Sequence, residues 1–416
     1  MFPNFNKIYH RFPTRFWIVV LASFISGVGG TLLFPFFALY ITQKFGVGMT
    51  EAGIILGISS VFGLVGGMIG GALADKFGRR ILIIAGLVFG SISMIALGLV
   101  NQLILLYPLS VVIGILTNIG GPAQSAMVAD ILPEEERQEG FGVLRVVGNL
   151  AWIIGPTIGG FVANRSYFLL FVTDAILSCI VAAIFYRFVP ETKPQEHVET
   201  KAQSVMQTIA GYSVALRDRA FMAFLVASIL MMIVYQQAYN TLSVYLRNVH
   251  GINPQGYGFL LTSSAITVVL FQFWITNRVK RFPPFALMAI GTILYAVGFS
   301  MFGFVSAYTF FVLAIVVITF GEMIIVPTSQ ALTAHFAPEE MRGRYMAVYG
   351  FSWTIPSAIG PGAAGYILDN FNPNLIWYIG GILCLIAAFG FFVLHARLGN
   401  QERFIVSESE EKAIPV

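Results

Sequence analysis

The chain has 416 residues, of which 57% are hydrophobic and 11% charged, with a mean hydropathy of +0.80. A soluble domain carries about one-quarter charged residues, so polar surface is too scarce here for a large water-soluble protein, and disorder, collagen and coiled coil fall to the same numbers. The net charge of +4 hints at a nucleic-acid partner, but the basic residues sit in short clusters between apolar runs, a placement that membrane topology explains better.

About 20 apolar residues cross the hydrocarbon core as a helix. In chain order, that length predicts spans near 16–41, 51–74, 81–100, 103–129, 140–163 and 167–189. After a polar break, a second set falls near 220–246, 255–276, 284–306, 308–333, 344–367 and 374–395. The first run is too long for the apolar part of a signal peptide and lacks an Ala-x-Ala end, so it is expected to remain as a span. Runs of this length exclude barrel strands, which are about 10 residues and alternate.

Charge placement agrees with this reading. With both termini cytoplasmic, only Lys44, Arg165 and Arg247 among the 24 Lys and Arg residues fall outside, and Arg145 alone lies in a span. That is the asymmetry of a multi-pass protein of the cell membrane. The break from Pro190 to Asp218 reads as a linker. Val205, Met206, Ile209, Tyr212 and Leu216 have helical spacing within it, suited to the membrane surface. The expected organisation is a six-helix bundle over 1–189, a cytoplasmic linker over 190–219, a second six-helix bundle over 220–396 and a cytoplasmic tail over 397–416.

The halves repeat. Pro133-Glu134-Glu135-Glu136-Arg137 aligns with Pro338-Glu339-Glu340-Met341-Arg342 at an offset of 205 residues. The register holds without gaps from Pro122 and Pro327 to Gly155-Pro156 and Gly360-Pro361, then to Gly160 and Gly365. Six spans per repeat make the repeats parallel, related by an axis along the membrane normal.

Two motifs stand at the cytoplasmic ends and inside the spans. Gly71-Ala72-Leu73-Ala74-Asp75-Lys76-Phe77-Gly78-Arg79-Arg80 follows span 2. Gly71 permits close helix approach and Gly78 a tight turn. Asp75 is expected to accept backbone N–H groups at a neighbouring helix start, and Arg79 to pair with Asp130 at the end of span 4. The second-half copy, around Asn277-Arg278-Val279-Lys280-Arg281, lacks the acid. In span 5, Gly155, Gly159 and Gly160 give a small-residue face for close packing. Pro156 removes one backbone hydrogen bond. Together they predict a hinge.

With these residues in place, the chain resembles the major facilitator superfamily. Its 71–80 segment matches that family's G-x-L-A-D-[RK]-x-G-R-[RK] signature, and Gly155-Pro156-Thr157-Ile158-Gly159-Gly160 is similar to the G-P-x-x-G-G motif of drug–proton antiporters. Gly321-Glu322 with Pro327, followed by the Pro338 repeat, resembles the LmrP branch of twelve-span multidrug exporters. The resemblance implies an all-α fold of two pseudo-symmetric six-helix bundles. It also implies that the 71–80 motif is a latch holding the outward-open state, and that Glu322 takes part in drug and proton binding. Gly114 stands where many of these exporters have an arginine, and Arg145 lies near the place of the branch's span-5 acid.

Charged groups deep in a span are functional by default. Glu322, mid-span 10, can carry a proton or pair with a cationic substrate; the two uses exclude one another, as exchange requires. Asp174, in the outer third of span 6, is a second proton site by the same reasoning. Asn118, Tyr235, Gln236, Asn240 and Trp353 are expected to contact substrate, with Gln236 and Asn240 one turn apart on a shared face. Tyr235 and Trp353 offer aromatic faces to a cation.

No nucleotide loop, nucleophile–base set or metal cluster is expected, and Cys179 and Cys384 read as small buried hydrophobes. The chain is therefore expected to be no enzyme and to need no cofactor or metal. Small molecules, protons and the lipid bilayer are its expected partners, nucleic acid is not, and it is expected to be monomeric. The function this implies is proton-coupled export of amphipathic or lipophilic, cationic small molecules. The alternatives are a narrower transporter of the same fold, for a sugar, a metabolite or a lipid, and a membrane receptor without transport.

Overall fold

The computed structural model describes residues 11–193, 213–279, 281–338 and 341–399. The expected surface helix of the linker, up to Tyr212, most of the tail, and the Glu339-Glu340 pair of the repeat lie outside the described residues. Among the described residues every regular element is helical, as hydrocarbon demands of a backbone that must satisfy its own hydrogen bonds.

In the first half the helices are α1 (Thr14–Leu33), α2 (Phe37–Phe45), α3 (Met49–Phe77), α4 (Arg79–Leu99), α5 (Leu106–Asn118), α6 (Gly121–Ile131), α7 (Glu134–Arg165) and α8 (Tyr167–Phe188). In the second half they are α9 (Arg219–Tyr235), α10 (Gln237–Asn240), α11 (Leu242–His250), α12 (Pro254–Val279), α13 (Pro284–Phe304), α14 (Tyr308–Phe336), α15 (Arg342–Tyr349), α16 (Phe351–Asn370) and α17 (Leu375–Leu398). Eleven stretches are long and apolar enough to cross a membrane, counting the described residues. The twelfth expected span is α15 with α16, which are interrupted at Gly350 and carry Pro356 and Pro361.

Several expected spans are broken rather than continuous. Span 1 passes through a 3-10 turn at Phe34–Phe36, span 4 through Ile119-Gly120, and span 7 at Gln236 and again at Thr241. Apolar run length cannot show such breaks, because they change hydrogen bonding and leave hydropathy intact.

By internal contacts the chain divides into two compact units. One is Met1–Val198 with Tyr239–Thr262; the other is Glu199–Ala238 with Ser263–Val416. The first unit holds a core of Phe12, Phe16, Leu82, Met127, Val181 and Phe185. Helices α3 and α5 meet at backbone distance: a Cβ on Gly66 would stand 2.7 Å from the Ile115 Cα. Small residues of this kind are what lets membrane helices associate. The second unit is aromatic, with Phe221, Phe224, Phe336, Tyr345 and Phe391 in mutual ring contact. Its first helix is capped by Asp218, whose Oδ1 accepts from the Ala220 and Phe221 amides at 3.0 and 3.1 Å.

Apolar side chains also cover the outside. Met68, Phe273 and Phe304 are more than three-quarters exposed, the outward face of a protein solvated by lipid. Cys384 is buried, but Cys179 is exposed. The expectation that both are buried is corrected for Cys179: on a lipid-facing helix an apolar residue need not point inward.

Candidate functional site

The first cluster is at the end of α3. Gly78 separates α3 from α4 with φ 105° and ψ 156°, a conformation that favours glycine. A Cβ there would also strike the Glu191 carboxylate. Arg79 Nη2 lies 3.3 Å from Asp75 Oδ1, and its Nε lies 3.3 Å from Asp130 Oδ2. Asp130 also accepts from the Thr192 hydroxyl at 3.0 Å. Gly71 has only Pro122 near the place of its missing Cβ, at 3.9 Å.

The role expected of Asp75 belongs to another residue. Asp75 keeps a side chain that is 77% exposed and pairs with Arg79. The α4 start is capped by Glu191, which accepts from the backbone N–H of Arg79 at 2.8 Å and of Arg80 at 3.1 Å. Burial alone would push the Glu191 carboxyl up, but these amides and those of Lys193 and Thr192 outweigh it and hold the group below its ordinary value. Lys193 Nζ returns to the Lys76 carbonyl at 2.9 Å. Arg80 donates to the carbonyls of Phe185 and Tyr186. The segment after span 6 thus clamps the loop after span 2. The sequence signal was Pro190-Glu191-Thr192-Lys193 directly after an apolar run, but its target lies over 100 residues upstream, beyond any local pattern.

The second cluster is α7. Gly155 and Gly159 press on α1: a Cβ on Gly155 would meet Thr31 and the Leu32 amide, and one on Gly159 would stand 2.8 Å from a Phe36 ring carbon. Thr31 Oγ1 donates to the Ala151 carbonyl at 2.9 Å. Gly160 faces elsewhere, its absent Cβ 3.1 Å from the Pro254 carbonyl and 3.2 Å from Gly258 Cα. Gly258 in turn lies against the Pro156 carbonyl. The single small-residue face expected of the three glycines is therefore corrected to two, because successive positions 155, 159 and 160 turn about the helix axis. Pro156 sits inside a continuous helix.

The third cluster surrounds Glu322, midway along α14. The Tyr235 hydroxyl donates to its carboxylate. The Tyr235 ring stacks on Tyr295 at 5.4 Å and meets Trp353 edge-on at 6.2 Å. Gln236 Nε2 donates to Ser357 Oγ at 2.7 Å, and Ser357 donates to the Trp353 carbonyl at 2.8 Å. Tyr235, Gln236, Trp353 and Glu322 are thus one network within the second unit. Asn118 and Asn240 belong to the first unit. Asn118 donates within its own helix to the Gly114 carbonyl at 3.0 Å and packs where Gly63 leaves room. Asn240 is buried.

Asp174 stands apart, on α8 in the first unit. Its Oδ1 lies where a Cβ on Gly29 would be only 2.6 Å away. It lines a cavity of about 370 Å³ bounded by α1, α4, α5, α6 and α8.

Comparison with known proteins adds the following. A family model described as Major Facilitator Superfamily matches residues 19–257 and 238–414. A Na(+), Li(+), K(+)/H(+) antiporter of Planococcus maritimus is 29% identical over 371 residues, covering 82% of this chain and 87% of that protein. The multidrug resistance protein MdtH of Shigella flexneri is 22% identical over 372 residues, covering 88% and 90%. A crystal structure of a POT family transporter in complex with 5-aminolevulinic acid superposes with a TM-score of 0.78 at 17% identity, covering 94% of this chain and 97% of that one.

Proposed function

This chain belongs to the Major Facilitator Superfamily of multi-pass membrane transporters, and from that premise we propose that it is a proton-coupled exporter of amphipathic, lipophilic cations working by alternating access. It is not an enzyme; its family and its structural neighbours move small molecules across membranes. In this reading it is a monomer of the cell membrane with both termini cytoplasmic, and bundles over 1–189 and 220–396 rock about the linker over 190–219. The 71–80 loop with Asp130 is the latch, and Gly155, Pro156, Gly159 and Gly160 are the hinge.

The observation that carries the reading is Glu322, an intramembrane acid hydrogen-bonded by Tyr235, whose ring in turn meets Trp353. A carboxyl in hydrocarbon is costly and needs a stated use. Deprotonated, it attracts a cation that the two rings also favour; protonated, it releases it. Asn118, Gln236 and Asn240 supply the remaining polar contacts, and Asp174 is a second proton site. An antiporter and a multidrug-resistance protein among its relatives support exchange and export. The sugar reading is disfavoured because a side-chain donor such as Gln237 is spent on the Ile233 backbone carbonyl.

The test is dye transport in proteoliposomes under an imposed proton gradient. Wild type is expected to move a lipophilic cation against its own gradient, and Glu322→Gln is expected to lose that uphill movement. Uphill transport equal to wild type by Glu322→Gln would overturn the mechanism, and wild-type transport of sugars but not dyes would overturn the substrate class.

A further inference from the structure

The cavity beside Asp174 lies wholly within the first unit, and among the described residues Asp174 is the only ionisable side chain on its wall. Among the described residues that carboxylate makes no ion pair and no hydrogen bond. An uncompensated carboxylate in a membrane interior is expensive. The wall offers it no cation, but it does offer oxygens. Ser178 is one turn from Asp174 on the same face of α8, and Ser26 faces the same cavity from α1.

Two further wall residues carry an oxygen that can accept. Ser91 donates to the Leu87 carbonyl at 2.6 Å, and Gln124 donates its amide N–H to Ser23 at 2.7 Å. Both line the cavity and keep oxygen lone pairs. Gly29 lets the carboxylate close onto α1, since any Cβ there would meet Oδ1 at 2.6 Å. The result is a chamber of hard oxygen acceptors with one negative charge.

We propose that this chamber is a binding site for a monovalent alkali cation, Na⁺ or Li⁺, held by Asp174 with the oxygens of Ser178, Ser26, Ser91 and Gln124 and by retained water. Hard oxygen donors select hard cations. A divalent ion draws on several carboxylates, and this wall has one. At about 30 Å³ per water, the cavity holds on the order of a dozen waters, so an ion enters with much of its hydration shell. Cation and proton exclude one another on the same carboxylate. The inference deepens the proton role given to Asp174, naming the ion it trades, and does not depend on what Glu322 carries. Metal motifs built on His and Cys miss such a site, because serine hydroxyls at helical spacing look like any membrane helix.

The experiment is ²²Na⁺ binding to the purified full-length protein in detergent at pH 8, with Li⁺ and tetraphenylphosphonium as competitors. Wild type is expected to bind Na⁺ saturably and to release it to Li⁺ but not to the organic cation. Asp174→Asn is expected to weaken binding roughly tenfold to a hundredfold, the loss of one charge-assisted contact. Ser178→Ala is expected to weaken it about threefold, as for a neutral contact. Glu322→Gln, in the other unit, is expected to bind Na⁺ as wild type while losing dye export. That arm separates the two readings. If Asp174→Asn elutes as aggregate, Ser178→Ala and Ser26→Ala carry the test. Undiminished binding in Asp174→Asn, or in both serine variants, overturns the proposal. So does wild type that exports dye but binds no Na⁺, or displacement by the organic cation alone.

Discussion

Each unit holds one acid inside the membrane, and the two are treated differently. Glu322 in the second unit is engaged: a tyrosine donates to it, and that tyrosine is packed against two further aromatic rings. Asp174 in the first has a cavity and no protein partner among the described residues. The repeat offset of 205, extended to α5 and α8, carries Glu322 to Thr117 and Asp174 to Ile379. The fold was duplicated and the charge was not. Thr117, the counterpart of Glu322, itself lines the Asp174 cavity. The loops after spans 2 and 4 diverge from their second-half counterparts in the same way. Asp130, held by Arg79 and Thr192, corresponds to His335, and the second-half loop has no acid to match Asp75. A repeated scaffold therefore carries different charged side chains in its two halves.

The comparison is sharpened most by removing both acids. Apparent affinity for a cationic dye is expected to fall roughly tenfold to a hundredfold in Glu322→Gln, the loss of one charge-assisted contact. Asp174→Asn is expected to shift the Na⁺ dependence of transport instead. In the double variant the two losses should add, since the acids share no partner in the contacts described and sit in different units. A large non-additive term in a dye-affinity cycle would break the comparison by making the two acids one site. Smaller is the effect of Tyr235→Phe, which leaves Glu322 charged but short of a donor. Its dye affinity is expected to fall about two- to tenfold, and in Glu322→Gln the same substitution should then cost little.

The latch is next. Removing Arg79 deletes contacts to Asp75, Asp130 and the Ala74 carbonyl at once. Arg79→Ala is expected to cost about 1–3 kcal/mol, read as a lower melting temperature in detergent. The matching change in the second half, Arg278→Ala, is expected to leave it unmoved. Equal losses at both ends would show that the two loops do the same work.

Much of this was legible in the sequence, for identifiable reasons. Span length follows from bilayer thickness, so the twelve apolar runs could be placed. The repeat survives wherever a backbone needs proline or glycine, as at Pro122 and Pro327. Glu322 announced itself because a charge in hydrocarbon has few innocent explanations. What stayed hidden was long-range or geometric. Nothing near Glu191 says that it caps a helix 112 positions away. Nothing in Gly155, Gly159 and Gly160 says that the third faces away from α1. A cavity walled by single serines from separate helices has no local pattern at all.

The smallest expected effect concerns the α11 end of the first unit, where the comparison between the units passes from carboxylates to an imidazole. His250 closes α11, with Nε2 3.2 Å from the Tyr245 hydroxyl and the two rings 5.3 Å apart. Burial holds its imidazole below the ordinary value, because a charged ring loses solvation there. The folded state therefore takes up a proton less readily than the unfolded one. Stability from this residue is intact above about pH 6.5, the unperturbed value, and is lost as pH falls through the lower folded value. Hydrogen exchange at residues 244–250 is expected to rise between pH 7 and pH 5, after correction for intrinsic rates, and a His250→Gln variant is expected to flatten that rise. The Glu191 clamp at the opposite end is held below its ordinary value too, but its ordinary value is about 4.3. Its protection of the α4 start should survive to more acid conditions, so the α11 end loosens first. Loss in the reverse order would mean that the amides around Glu191 hold it less firmly than burial holds His250 neutral.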